Sequence, residues 1–141
     1  MDARMRSSMP LLDSDRPDAA AAEAEETAIG EVTLSTSLWC ILVEEAAEHL
    51  ATLDHGLGLM QFDTQAAPSA AMIRASHTLC GIHRTAGFEP VAGIAKSLEL
   101  ALTALAQHGA PLPSATQPLL AGAVATLRDL CADVAERRVT L

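Results

Sequence analysis

Four stretches of the chain repeat apolar residues in steps of three and four, and proline or glycine interrupts the pattern between them. That spacing lines up one face of an α-helix and excludes the two-residue alternation of a half-buried strand. The first stretch starts at Ser35 or Ser37, either of which suits a helix N-cap, and carries Leu42, Ala46, Leu50, Leu53, Leu57 and Met60 on one side. The second has Pro68 in its first turn, a stripe of Met72, Ala75, Leu79, Ile82 and Ala86, and Gly87 to end it. Pro90 opens the third, whose stripe is Val91, Ile94, Leu98, Ala101 and Leu105, with Gly109 past its end. Ser114 and Gln117 have the spacing of a capping box for the fourth, which runs through Leu120, Ala123, Leu127, Leu130 and Val134. Four amphipathic helices on short connections predict an all-α fold, an antiparallel up-down-up-down four-helix bundle over residues 35–141. Half of the chain is hydrophobic but only Trp39, Phe62 and Phe88 are aromatic, so the core must be aliphatic, which suits helix packing.

Residues 1–34 read as an acidic leader or linker, with room for one short helix after Pro17. They hold eight acids and three bases, net −5, against net −4 for the remainder of a chain whose total is −9. Such a balance excludes a nucleic-acid binder and disfavours an anionic membrane surface, since both need a basic face. No signal-peptide pattern or membrane-spanning run occurs, and a soluble, monomeric domain is expected. Cys40, Cys80 and Cys131 form no CxxC pair and fall inside helical patterns, as small buried or half-buried hydrophobes do; a reducing cytoplasm fits.

The second helix carries the chemistry. Its stripe leaves His77 on the opposite, solvent-facing side, with Arg74, Gly81 and Arg84 within about 60° of it. Mid-helix glycine costs roughly 1 kcal/mol relative to alanine, and Gly81 is not needed for core packing. Removing a side chain one turn beyond His77 instead gives another protein room to approach the imidazole. His77 and Glu99 lie equally far from Phe88 at the turn between the second and third helices, so antiparallel packing puts them at one height. A carboxylate at the border of the third helix's stripe can reach an imidazole N–H, fix the tautomer and free the other ring nitrogen as a nucleophile.

His77-Thr-Leu-Cys-Gly81, followed by Gly87-Phe88, resembles the signature of histidine-phosphotransfer (HPt) domains, usually His-x-Leu-Lys-Gly. The resemblance covers residue 36 to about residue 108, and the last helix by architecture alone. It is nearest to the HPt domains of chemotaxis-type hybrid histidine kinases, including those controlling twitching motility, where a glutamate at the spacing of Glu99 bonds the phosphorylated histidine. The resemblance implies a phosphorelay carrier and not a stand-alone enzyme. His77 would take a phosphoryl group on Nε2 and exchange it with an aspartate of a response-regulator receiver domain. The implied partners are that receiver and a histidine kinase catalytic domain; no cofactor is bound here, and the magnesium belongs to the receiver. One departure stands out: the family's lysine is Cys80, which carries no positive charge, and Arg84, Arg74 and Lys96 are the candidate substitutes. The alternative is a degenerate HPt-like module that docks a receiver or kinase without carrying phosphate.

The other histidines read as ordinary: His83 on a flank of the second helix, His49 and His55 on the first, His108 in a last turn where it complements the helix dipole. A di-iron bundle site is excluded because no glutamate has a histidine three residues later. Phosphate-binding glycine loops are missing, as are the surroundings of a serine or cysteine nucleophile. Leu100, which points away from the third stripe near Lys96, is a candidate docking residue.

Overall fold

The computed structural model describes residues 25–63, 65–109 and 111–138. The short helix considered after Pro17 lies outside them.

Four helices form the bundle: α1 (Thr36–Phe62), α2 (Ala70–Ala86), α3 (Glu89–His108) and α4 (Thr116–Ala135). Their termini follow local chemistry. Ser35 caps α1, its Oγ accepting the Leu38 N–H at 3.1 Å. Ser69, not Pro68, starts α2, accepting the Met72 N–H at 3.2 Å, so Pro68 precedes the helix instead of entering its first turn. Gly87 closes α2 in the left-handed region (φ 100°), and the Gly87 and Phe88 N–H groups both donate to the His83 carbonyl, at 3.0 and 2.8 Å. This tight reversal lets Pro90 begin α3 at once. The expected capping box on α4 does not form. Ala115 occupies the cap position, the Thr116 N–H donates to the Pro113 carbonyl, and the buried Gln117 Oε1 has no hydrogen-bond partner among the described residues.

The leader assignment needs correcting at its end. Residues 26–35 form a hairpin of β1 (Glu26–Ile29) and β2 (Val32–Ser35), antiparallel, with Glu26 opposite Ser35 and Ile29 opposite Val32. Gly30, at φ 61°, supplies the positive φ wanted at the first position of its two-residue turn. Thr27 and Ile29 face inward, and Ile29 is fully buried in the core. Val32 packs over Gly87, and Thr27 and Thr36 share a hydroxyl hydrogen bond of 2.7 Å. The hairpin therefore covers the end of the bundle where α1 starts and α2 stops.

On α1 every expected stripe residue is buried. Gly56 belongs to that face as well: the Met72 side chain occupies the space a Cβ there would need. On α2 the buried residues are Met72, Ala75, Ser76, Leu79, Cys80 and His83, a stripe rotated by roughly 50° from the expected one; Ile82 and Ala86 are only half-buried. On α3 the buried set is Val91, Ala92, Ala95, Leu98 and Leu102, with Ala101 exposed. Small residues on these two faces let α2 and α3, the most extensively packed pair, approach closely. Trp39 ties α1 to the last turn of α4, donating its indole N–H to the Val134 carbonyl at 3.0 Å.

Candidate functional site

His77 projects from the outer face of α2 with 71% of its side chain exposed. Its Nδ1 lies 3.0 Å from Glu99 Oε2 on α3, so the two helices meet at the level expected from the turn at Phe88. A carboxylate accepts only, so Nδ1 carries the proton and donates it, and the Nε2 lone pair stays free. Glu99 is itself held. Its other oxygen, Oε1, accepts from Lys96 Nζ at 3.4 Å, and only 16% of its side chain is exposed. The carboxylate thus stands between an ammonium and an imidazole, at the edge of the α2–α3 contact.

The remaining candidates separate. Gly81 is exposed one turn past His77, and a Cβ there would meet nothing within 4 Å, so no internal contact requires glycine. Arg84 faces the start of α3, with Nε 3.7 Å from Glu89 Oε2, and is engaged away from His77. Cys80 is buried, so its position in the signature supplies neither charge nor a surface group. Arg74, one turn before His77, is exposed and makes no ion pair among the described residues. Of the three proposed cations, Lys96 is the one gathered into the His77–Glu99 cluster.

Two sequence expectations fail on the cysteines and histidines. Cys40 is exposed, whereas Cys80 and Cys131 are buried. His83 is not on a flank; it is completely buried. Its Nδ1–H donates to the Leu79 carbonyl at 2.7 Å, and Nε2 faces the Cys131 thiol at 3.9 Å. Desolvation holds its pKa below the usual 6.5, outweighing the opposite pull of the Leu79 hydrogen bond. Burial pushes the Cys131 thiol up to about 11, so it remains an S–H donor toward the neutral ring. Phe88 packs edge-on against the same imidazole.

Not anticipated from the sequence is a groove of about 370 Å³ between α1 and α2, lined in part by His77 and Gly81. Leu38, Ile41 and Ile82 give it an apolar wall, and Leu38 and Ile41 are each about half exposed. Leu100 is exposed as expected but does not line this groove. The signal for the groove was present in Leu38 and Ile41, apolar residues of α1 that fall outside its core stripe.

The described helices thus form a bundle with the exposed His77 imidazole backed by a carboxylate and flanked by an open groove. Residues 37–137 match the Hpt domain family, and the chain belongs to it. Members of that family are phosphocarriers of two-component signalling that interact with receiver domains and kinases and are not enzymes in themselves. Neither the comparison with curated proteins nor that with solved structures gave a match. Among the described residues no helix is long and apolar enough to cross a membrane, and no cluster of His, Cys, Asp and Glu is suited to a metal ion.

Proposed function

We propose that His77 is the phosphoryl-accepting residue and that it exchanges the group with the aspartate of a response-regulator receiver domain. The observation carrying this reading is the exposed imidazole with Nδ1 tied to Glu99 at 3.0 Å and Nε2 open to solvent. In the forward step Nε2 attacks the phosphorus of a donor acyl phosphate or of a nucleotide γ-phosphate held by a kinase. An N–P bond forms, the donor P–O bond breaks, and the leaving oxygen keeps its electron pair. Positive charge develops on the ring as this happens, and the Glu99 carboxylate stabilises it through the Nδ1–H bond. Lys96 keeps Glu99 in place and adds positive charge near the transferring group. The carrier binds no cofactor; the magnesium that assists transfer belongs to the receiver.

The receiver docks on the groove between α1 and α2, where Leu38, Ile41 and Ile82 provide apolar contact and Gly81 provides clearance. The position of Glu99 relative to His77 supports a place among chemotaxis- or twitching-type kinases, working in the cytoplasm. Burial of Cys80, where the family has lysine, favours a second reading: a docking module without transfer. Incubation with phosphorylated receivers and candidate kinases separates the two. A carrier gains an acid-labile, base-stable phosphate that His77→Gln abolishes; a docking module binds its receiver and is never labelled.

A further inference from the structure

Below the apolar groove the same trough between α1 and α2 continues into a second hollow of about 300 Å³, bounded by His49 and Thr52 on α1 and Arg74 and Thr78 on α2. Thr78 lines both parts, so the hollow begins beside His77. Its chemistry differs from the rest of the surface. In a chain of net charge −9, its wall holds an imidazole, a guanidinium and two hydroxyls, and no carboxylate. Of the acids on α1, Glu48 and Asp54 flank the hollow in sequence and Glu45 lines the adjoining groove with His77 and Thr78; none lines the hollow itself, and among the described residues neither His49 nor Arg74 is ion-paired. The Thr52 hydroxyl is already committed to the Glu48 carbonyl at 3.3 Å, which leaves His49, Arg74 and Thr78 as the available donors.

Glu99 holds Nδ1 of His77 from the α3 side, which leaves Nε2 across the ring from that bond, and His77 also lines the groove on the α1 side of α2. Arg74 is three residues before His77, a helical spacing that makes the two side chains neighbours. A guanidinium on so long a side chain can swing toward oxygens carried on Nε2, and His49 lies across the hollow from Arg74.

We infer that this hollow is an oxyanion subsite, in which Arg74 and His49 hold the phosphoryl oxygens while the group sits on His77. It supplies positive charge that Cys80, where the family signature usually has lysine, does not, and it does so from α1 and α2 instead of from the signature position. The inference rests on His77 being the carrier.

Phosphoramidate, a small donor that needs no kinase, separates the two ideas in the full chain. Nε2 of His77 attacks phosphorus, the P–N bond of the donor breaks, and the leaving nitrogen takes its electron pair and a proton as ammonia. Labelling should slow by about threefold to tenfold in Arg74→Ala and in His49→Ala, the loss of one charge-assisted hydrogen bond each. Arg74→Lys should recover part of the rate. Arg128→Ala, which removes the same charge from α4, should label at the wild-type rate. In the wild type, labelling should shift the imidazole resonances of His49 and leave those of His108 unmoved, a readout that holds even if a variant fails to fold. Unchanged rates in both variants, or an unmoved His49 signal on fully labelled protein, would overturn the subsite and leave the carrier intact. Failure of His77 to label at all would instead overturn the carrier reading.

Discussion

Two histidines six residues apart on α2 have opposite fates. His77 is largely in water with a carboxylate on one nitrogen; His83 is wholly buried, between a backbone carbonyl and a thiol. Both have a proton placed on Nδ1 by an acceptor, so tautomer does not distinguish them. What differs is the other nitrogen. At His77 it meets solvent, and at His83 it meets Cys131 in a site that penalises charge. The same side chain thus offers an accessible ring nitrogen on one face of a helix and is a neutral packing element on the other, and burial decides which.

The largest expected effect lies at the exposed ring. His77→Gln should abolish phosphate labelling while moving stability by no more than about 0.5 kcal/mol, since the site is on the surface; labelling assays with denaturant unfolding check both halves. The buried ring should respond the other way. His83→Ala should cost about 2–4 kcal/mol by opening a cavity and stranding Cys131, with His77 still labelled in the folded protein. If His83→Ala instead blocked labelling in a fully folded sample, the separation of roles would break.

Glu99→Ala sharpens the contrast by removing the acceptor from His77 alone. Labelling should slow by about tenfold, the worth of a hydrogen bond to a charged group, with the fold unchanged. Gly81→Ala should add roughly 0.5–1 kcal/mol of stability, because nothing within the protein opposes the new methyl group. A bulkier Gly81→Leu should leave labelling by phosphoramidate intact and slow transfer to a receiver; transfer at the wild-type rate would remove clearance as the reason for glycine.

The smallest effect is a pH slope. His83 has a folded pKa below its unfolded value of 6.5, so the unfolded chain binds the extra proton first. Its contribution is present in full above pH 6.5 and is lost as pH falls from there toward the lowered folded value. Unfolding midpoints of wild type and His83→Leu measured across this range should diverge in slope, with the variant flatter.

The bundle, the register of His77 against Glu99 and the closing role of Gly87 were legible in the sequence because helical periodicity and a symmetric turn determine them. The exact core face of α2 was not. Periodicity weights large aliphatic residues, whereas the buried faces of α2 and α3 include Ala75, Ser76, Cys80, Ala92 and Ala95, small residues that carry little hydrophobic signal. That rotation is why His83 turned inward and Cys80 lies on the buried face. The hairpin was hidden for another reason. Four-residue strands are marginal alone, and these depend on burying Ile29 against helices distant in sequence. The grooves beside His77 needed the relative placement of α1 and α2, which no single segment encodes.

The covering hairpin changes where this domain should be cut. Family resemblance begins at residue 37, yet the cooperative unit takes in Ile29 and the Ser35 cap. A fragment trimmed to the recognisable region would expose the top of the aliphatic interior and fray the first helix. Boundaries drawn by homology would therefore give a weaker protein than boundaries drawn by burial.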